Sequence, residues 1–296
     1  MWKAPSLPYS CDSSLLPASL PTTEDIENAP CTLVEASSKV VRIGDHFVAK
    51  YGPQTRRCIQ EGLSMIYVSQ NLTTQIPLVY ALYEENGNAY LVMQYVAGQT
   101  LEHLWPSLEP CERRVTLRKL RGILDDMRSL PMPSPPFYGS VDRGPLPYFL
   151  FWTPEPQKEV NGPFVTEKEL CLGLVEKLRQ IRAENNQHMS RVEWLQKFLP
   201  TSLTGHPPTF THGDIQKKNI MVERTSRTKV PDNEDEFNLT ILDWEDAGWY
   251  PNYFEYFLCY TGFFWDDDWP QMVEICLDPF PVETLMVIQI YHDIFM

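Results

Sequence analysis

The chain has 296 residues, of which 43% are hydrophobic and 22% are charged, and its formal net charge is −14. A chain of this length buries a substantial core, in one large domain or in two lobes. The acidic balance excludes a protein that follows nucleic-acid phosphates, because that function requires a basic surface.

The N-terminal third of the sequence predicts an irregular lead-in over residues 1–30 and then an N-lobe over residues 31–95. The segment KVVRIGDHFVAKYG turns at Gly44-Asp45, which is typical of a hairpin. A helical pattern covers residues 54–70. The segments PLVYALYE and AYLVMQYV follow, and the Glu-Asn-Gly-Asn between them predicts a second hairpin. The N-lobe is therefore predicted as a small antiparallel sheet with one helix.

Residues 96–296 predict a larger, mainly α-helical C-lobe. Apolar residues recur at helical spacing in 112–130 and 166–185, and three further helices are predicted to close the chain. Two short strands, NIMVE and LTILD, interrupt this pattern and flank an acidic stretch over residues 225–237, which we expect to be solvated. The fold class predicted from these elements is α+β.

The seven cysteines are dispersed, with no CxxC pair and no Cys/His cluster at zinc spacing. That usage is typical of reduced thiols in a cytosolic protein. Pro5, Pro8 and Pro17 interrupt the first twenty residues, which argues against a signal peptide, and no apolar run approaches the ~18 residues of a membrane helix. We therefore expect a cytoplasmic protein with no membrane partner, and the sequence does not indicate its oligomeric state.

The segment THGDIQKKNI, residues 211–220, places Asp214 and Asn219 on a loop just before the strand NIMVE. Asp243 ends the next strand, in ILDWEDAG, so that two carboxylates and an amide can converge at neighbouring strand ends. This set suits phosphoryl transfer, in which one carboxylate accepts a hydrogen bond from the substrate hydroxyl and the other two groups hold Mg²⁺. Taken alone, Asp214 and Asn219 are also explained by an Asx-type turn.

The N-lobe offers a cation for the donor phosphates, because Lys50 ends the strand FVAK. Glu61, on the following helix, is in a position to pair with Lys50 and to hold it in place. Kinases have these residues in the same order, which is a Lys on a strand, a Glu on a helix, an Asp and an Asn on a loop, and then an Asp that binds metal. The alternatives are a surface position for Lys50 and a solvated helix position for Glu61.

Four motifs in order, FVAK, LVMQYVAGQTL, HGDIQKKN and ILDWEDAG, resemble those of the aminoglycoside phosphotransferase family. That family is the small-molecule branch of the protein-kinase-like fold, which also includes choline kinases. The resemblance spans roughly residues 36–260. Protein kinases usually have Arg between the His and the Asp of the loop and Phe-Gly after the metal Asp. Gly213 and Trp244-Glu245 stand at these positions and favour the small-molecule branch.

The resemblance implies a two-lobed protein-kinase-like fold and a role for each matched residue. Asp214 would be the catalytic base, or would orient the acceptor hydroxyl. Asn219 and Asp243 would bind Mg²⁺, and Lys50 would contact the nucleotide phosphates with Glu61 positioning it.

The resemblance also implies a nucleotide hinge at MQYV, where the Gln94 carbonyl and the Val96 amide would hydrogen-bond adenine. One segment departs from the family pattern. VEASSKVVRI, which is expected to cover the phosphates, contains no glycine. Glycine-rich loops let backbone amides approach phosphate closely. The missing glycine is the main support for the alternative of a catalytically weak, nucleotide-binding pseudokinase.

The sequence thus predicts an enzyme, an ATP- and Mg²⁺-dependent kinase that moves the γ-phosphate to a hydroxyl of a small molecule, with GTP as the alternative donor. The acceptor is left open among an aminoglycoside, an amino alcohol, a sugar and a secondary metabolite, and the acidic charge favours a cationic one. Besides the pseudokinase, a third hypothesis is a kinase-like scaffold that uses the same acids for other chemistry on a small metabolite.

Overall fold

The computed structural model describes residues 2–53, 55–225, 237–261 and 267–295. The chain forms two compact units, each built from separate stretches of sequence. Residues 2–108 and 217–245 make up what we call the strand unit, and residues 109–216 and 246–296 make up the helix unit. Most of the acidic stretch predicted over 225–237 lies outside the described residues.

The helices and strands are numbered in chain order. Up to residue 108 they are β1 (Tyr9–Ser10), α1 (Thr23–Glu27), β2 (Cys31–Glu35), β3 (Lys39–Ile43), β4 (Phe47–Gly52), α2 (Thr55–Asn71), β5 (Val79–Glu85), β6 (Asn88–Gln94), β7 (Gln99–Thr100) and α3 (Leu101–Leu104). They continue as α4 (Pro110–Arg128), α5 (Lys158–Asn161), α6 (Glu167–Glu184), α7 (Ser190–Ser202), β8 (Pro208–Thr211), β9 (Ile220–Arg224), β10 (Phe237–Ile241), β11 (Gly248–Pro251), α8 (Phe254–Thr261), α9 (Trp269–Cys276) and α10 (Pro281–Phe295).

The strand unit is built on an antiparallel sheet in the order β1-β5-β6-β4-β3-β2. Asn86 and Gly87 join β5 to β6 with φ angles of 51° and 80°, as a primed hairpin turn requires. The Asn-Gly pair in the sequence predicts this turn, and the prediction is confirmed. Helix α2 packs against β5 and β6, and β10, β9 and β7 form a second sheet in that order.

Residues 1–30, for which the sequence predicts irregular structure, add two short elements to the strand unit. Strand β1 pairs with β5 at the edge of the sheet. Helix α1 begins with a capping box in which Thr22 and Asp25 satisfy each other's backbone amides, and Ile26 is fully buried against the sheet. The prolines of this segment lie outside both elements, which are too short to show a periodic pattern.

The helix unit buries an aromatic and aliphatic core between α6, α8 and α10. Tyr250 and Phe254 stack within it, with ring centroids 4.6 Å apart. Strands β8 and β11 pair antiparallel, and the loop that carries Asp214 follows β8. Helices α8, α9 and α10 are the three that the sequence predicts at the end of the chain. No described helix combines the length and the hydropathy needed to span a bilayer.

Candidate functional site

Lys50 lies in the middle of the strand unit's sheet, where β4 is bonded on both sides, to Val40 of β3 and Leu91 of β6. Helix α2 begins soon after β4 ends, so that Glu61 faces back toward the strand. The Lys50 Nζ lies 2.7 Å from the Glu61 Oε2, and the Glu61 side chain is only 2% exposed. The structure thus contains the Lys50–Glu61 ion pair that the sequence predicts.

Two further carboxylates reach the same ammonium group. The Lys50 Nζ donates to Asp243 Oδ1 at 3.1 Å and to Glu245 Oε2 at 2.8 Å. Asp243 adopts a left-handed backbone conformation with φ 62°, which Asp tolerates better than most residues. The chain turns sharply just after β10, so that Asp243 and Glu245 both reach Lys50.

Asn219 is placed beside Asp243 by the pairing of β9 with β10. Ile220 pairs with Ile241, and one step further the Leu242 amide donates to the Asn219 carbonyl at 2.8 Å. Asn219 is buried, at the end of a short 3-10 helix that precedes β9. Asn219 and Asp243, which are 24 positions apart in the sequence, therefore both lie just beyond the same end of the β9–β10 ladder.

The electrostatics of this cluster are dominated by its carboxylates. Burial disfavours the charged form of Lys50, but Glu61, Asp243 and Glu245 outweigh it and raise the pKa of Lys50 above that of an ordinary lysine. Burial raises the pKa of Glu61 to about 7, although Lys50 opposes the shift. One oxygen from each of the three acids lies within 4.8 Å of the others. Asp243, the most exposed of the three at 33%, offers a carboxylate oxygen of the kind that Mg²⁺ prefers.

The sequence motifs assign no role in the site to Arg57 or to Glu245. The Arg57 Nη2 lies 2.5 Å from the Glu245 Oε1, so that Glu245 bridges Arg57 and Lys50. Arg57 stands four residues before Glu61, about one turn of α2, and therefore on the same face of the helix. That spacing is the signal in the sequence that points to Arg57.

The predicted hinge residues lie where β6 ends. The Gln94 amide donates to the Leu78 carbonyl at 2.9 Å, and the Tyr95 amide donates to the His46 carbonyl at 2.8 Å. Gln94 is exposed and Val96 is half-buried. The predicted contact of the Gln94 carbonyl and the Val96 amide with adenine stays a prediction.

Asp214 belongs to the helix unit, in the loop after β8. Its amide donates to the His212 Nδ1 at 3.1 Å, so His212 shapes the loop through its ring nitrogen. Gly213 has φ 91°, and a side chain there would place its Cβ 2.5 Å from the Asp246 carbonyl oxygen. The loop therefore requires glycine at this position, both for its backbone conformation and for the space.

Sequence reasoning also missed Glu255, the acid inside the aromatic segment GWYPNYFEYF. Its carboxylate accepts the His212 amide at 2.6 Å and the Gly213 amide at 3.2 Å. Burial raises the pKa of Glu255 to about 7, and the His212 amide and Arg128 oppose the shift. An acid within an otherwise apolar, aromatic segment was the available signal, since buried carboxylates need specific partners.

Residues 34–275 match a family model described as the phosphotransferase enzyme family. No curated protein gives a match. Among solved structures, a protein described as a fructosamine-3-kinase of Haemophilus somnus 129PT aligns with a TM-score of 0.57 and 13% identity, over 88% of this chain and 80% of that one. A ternary complex of APH(2″)-IIa with streptomycin and ATP aligns with a TM-score of 0.51 and 16% identity, over 77% and 69%. These likenesses confirm the predicted protein-kinase-like fold.

Proposed function

The chain belongs to the phosphotransferase enzyme family, and from that premise we propose that it is a small-molecule kinase that transfers the γ-phosphate of ATP, with Mg²⁺, to a hydroxyl group. The observation that carries the proposal is the position of Lys50, with its Nζ 2.7 Å from Glu61 and 3.1 Å from Asp243. A buried cation beside acids that suit a metal is an arrangement for holding metal-bound phosphates.

Each residue has a definite part in the proposed reaction. The acceptor hydroxyl oxygen forms a bond to the γ-phosphorus, the bond from that phosphorus to the β–γ bridging oxygen breaks, and ADP leaves with the electron pair. Asp214 orients the hydroxyl and receives its proton. Lys50 binds the phosphates, and Glu61 holds Lys50 in place. Asn219 and Asp243 would hold Mg²⁺, which supplies neutralisation of phosphate charge when bound.

The acceptor that we propose is a hydroxylated small molecule with a cationic group. The formal charge of −14 supports this choice, because an acidic protein attracts cations and repels anions. The APH(2″)-IIa complex contains streptomycin, and another aligned protein is described as a fructosamine kinase, but both are too distant from this chain for their substrates to be assigned to it. ATP is the proposed donor, and GTP is the alternative to be compared with it.

The first test is nucleotide binding by thermal shift, with and without Mg²⁺, on the wild type and on Asp243→Asn. We expect ATP to stabilise the wild type in a Mg²⁺-dependent way, because a ligand that binds only the folded state raises its stability. Asp243→Asn should lose the Mg²⁺-dependent part. Absence of any shift at saturating ATP and GTP would overturn the proposal and favour the repurposed scaffold.

The second test is turnover with a panel of hydroxylated amines, with ADP release as the readout. Asp214→Asn should bind ATP like the wild type, but its kcat should be lower by roughly 10²–10⁴-fold, the usual contribution of a general base. Nucleotide binding without ADP release from any acceptor, by a wild type that is otherwise folded, would favour the pseudokinase instead.

A further inference from the structure

We propose that Arg57 is a second phosphate-binding residue, which acts beside Lys50 and is occupied by Glu245 when nucleotide is absent. This inference rests on the proposed function, because it names a further residue of the same nucleotide site. It concerns residues of the strand unit alone.

The geometry that points to Arg57 is the sharing of one carboxylate by two cations. Glu245 Oε1 lies 2.5 Å from the Arg57 Nη2, and Glu245 Oε2 lies 2.8 Å from the Lys50 Nζ. The two cationic groups are therefore spaced so that two oxygens on a single central atom satisfy both. A phosphate presents its oxygens in a similar way and accepts the same charge-assisted hydrogen bonds. Glu245 thus occupies the position that a phosphate would take.

The exposure of the cluster indicates which of its contacts can open. Glu61 and Lys50 are the buried part, with side chains 2% and 11% exposed. Glu245 and Arg57 form the outer part, at 23% and 35%. A partly exposed ion pair contributes little to stability, so its replacement by phosphate does not require the fold to give up a core contact. The pair of Lys50 with Glu61 stays in place during this exchange.

The balance of charge explains why such an exchange would depend on a bound cation. The described side chains of the cluster include three acids, Glu61, Asp243 and Glu245, and two bases, Lys50 and Arg57. Asp243 and Glu245 repel a nucleotide that arrives alone, because both carboxylates contact the ammonium group that its phosphates would approach. When a divalent cation neutralises the acids, both bases become available to phosphate.

The hairpin expected to cover the phosphates explains why a second phosphate-binding side chain would be useful. Strands β2 and β3 are joined by Ala36-Ser37-Ser38, and no glycine occurs between Val34 and Ile43. In kinases a glycine-rich loop covers the phosphates, and the lack of a side chain at glycine lets the backbone approach them closely. An arginine has five N–H donors in a rigid fork that matches phosphate, so Arg57 can supply donors that this hairpin does not.

The competing explanation is that Arg57 only orients Glu245. Calorimetry distinguishes this explanation from the proposed phosphate-binding role. The wild type and Arg57→Gln are each titrated with adenosine, AMP, ADP and ATP in the presence of Mg²⁺. The matched control is Arg56→Gln, which removes an exposed charge from the neighbouring position of α2. We expect Arg57→Gln to bind adenosine like the wild type and to lose about tenfold to hundredfold in ATP affinity, the effect of removing a charged hydrogen bond. Arg57→Lys should restore part of the loss.

A loss of equal size for all four ligands, or no loss for ATP, would show that Arg57 has a structural role only. If the wild type binds none of the four, the proposed function fails and this inference fails with it. If the wild type binds ATP and Arg57→Gln binds it equally well, the proposed function stands and only the inference is overturned.

Glu245→Gln provides an independent measurement should Arg57→Gln fold poorly. In EDTA, Glu245 competes with phosphate for the two bases, so Glu245→Gln should bind ATP about twofold to fivefold more tightly than the wild type, as expected for a partly exposed ion pair. Unchanged or weaker ATP binding by Glu245→Gln in EDTA would contradict the exchange.

Discussion

Glu255 and His212 are joined by a 2.6 Å hydrogen bond, in which the backbone amide of His212 donates to a carboxylate that is only 1% exposed. The adjacent amide of Gly213 donates to the other oxygen of the same carboxylate. The loop that carries Asp214 is therefore fixed by the first turn of α8, some forty residues further along the chain. Its conformation depends on tertiary packing and not on the loop sequence alone.

Glu255→Ala should destabilise the protein by at least about 2 kcal/mol, because two buried amide donors lose their acceptor. The measurement is the free energy of unfolding in urea. Glu193→Ala, which removes an exposed acid from α7, is the control and should change stability by less than about 0.5 kcal/mol. Equal stability of the two variants would mean that water replaces the Glu255 carboxylate.

The difference in the free energy of unfolding between Glu255→Gln and the wild type should depend on pH. The pKa of Glu255 is raised from 4.5 to about 7 in the folded protein, so between these values the unfolded chain has released a proton that the folded chain retains. The contribution of Glu255 to stability therefore falls as pH rises from about 4.5 to about 7. Glutamine does not titrate, so the variant should gain stability relative to the wild type over that pH range. Above it, the difference in stability should stay constant.

Urea unfolding of both proteins at intervals of pH checks this expectation. The difference between them is the quantity to follow, because burial also raises the pKa of Glu61, and that contribution cancels between the two proteins. A difference that stays constant with pH would contradict a raised pKa for Glu255.

Lys50→Met should destabilise the protein by about 3 kcal/mol, because it leaves the buried Glu61 carboxylate without its cation. The double variant Lys50→Met/Glu61→Leu should recover most of that loss, since it removes both charges together. Unfolding free energies of the two single variants and the double variant form the necessary cycle. Additive losses in that cycle would indicate that the two residues are not coupled.

Gly213→Ala should lower stability by more than the roughly 1–3 kcal/mol expected for backbone strain, because the new Cβ would also meet the Asp246 carbonyl oxygen. Gly122→Ala in α4 is the matched control, since nothing lies within 4 Å of the Cβ added there. Helix propensity predicts that Gly122→Ala stabilises the protein by about 0.5–1 kcal/mol. Thermal unfolding of both variants tests the contrast, and a shift of the same sign in both would refute it.

The parts of the fold that could be predicted from the sequence rest on local patterns. The Asn86-Gly87 turn, helix α2 and the strands on either side of the acidic stretch each have a pattern contained within a few residues. The kinase-like fold is predicted by the order of the motifs at Lys50, Asp214 and Asp243. This order is informative because it combines several residues of one site, whereas a single helix or strand occurs in many folds.

The residues that could not be predicted depend on contacts between distant segments. Arg57 and Glu245 are 188 positions apart, and Glu255 meets His212 across 43. The spacing of Arg57 to Glu61 and the aromatic surroundings of Glu255 are signals in the sequence, but neither identifies the partner residue, because burial and partner are properties of the folded chain. Strand β1 and helix α1 were missed for another reason, since elements of two and five residues are too short to show a period.

The pairing of β9 with β10 has a consequence for how the protein tolerates change. Five paired positions, from Ile220 opposite Ile241 to Arg224 opposite Phe237, set the relation between Asn219 and Asp243. The number of residues that connect the two strands does not enter that relation, and the entropy of closing a longer connection grows only slowly with its length. Insertions and deletions between Arg224 and Phe237, or a fused domain placed there, should leave the spacing of the two side chains unchanged. A single residue added within either strand would shift the register and separate them.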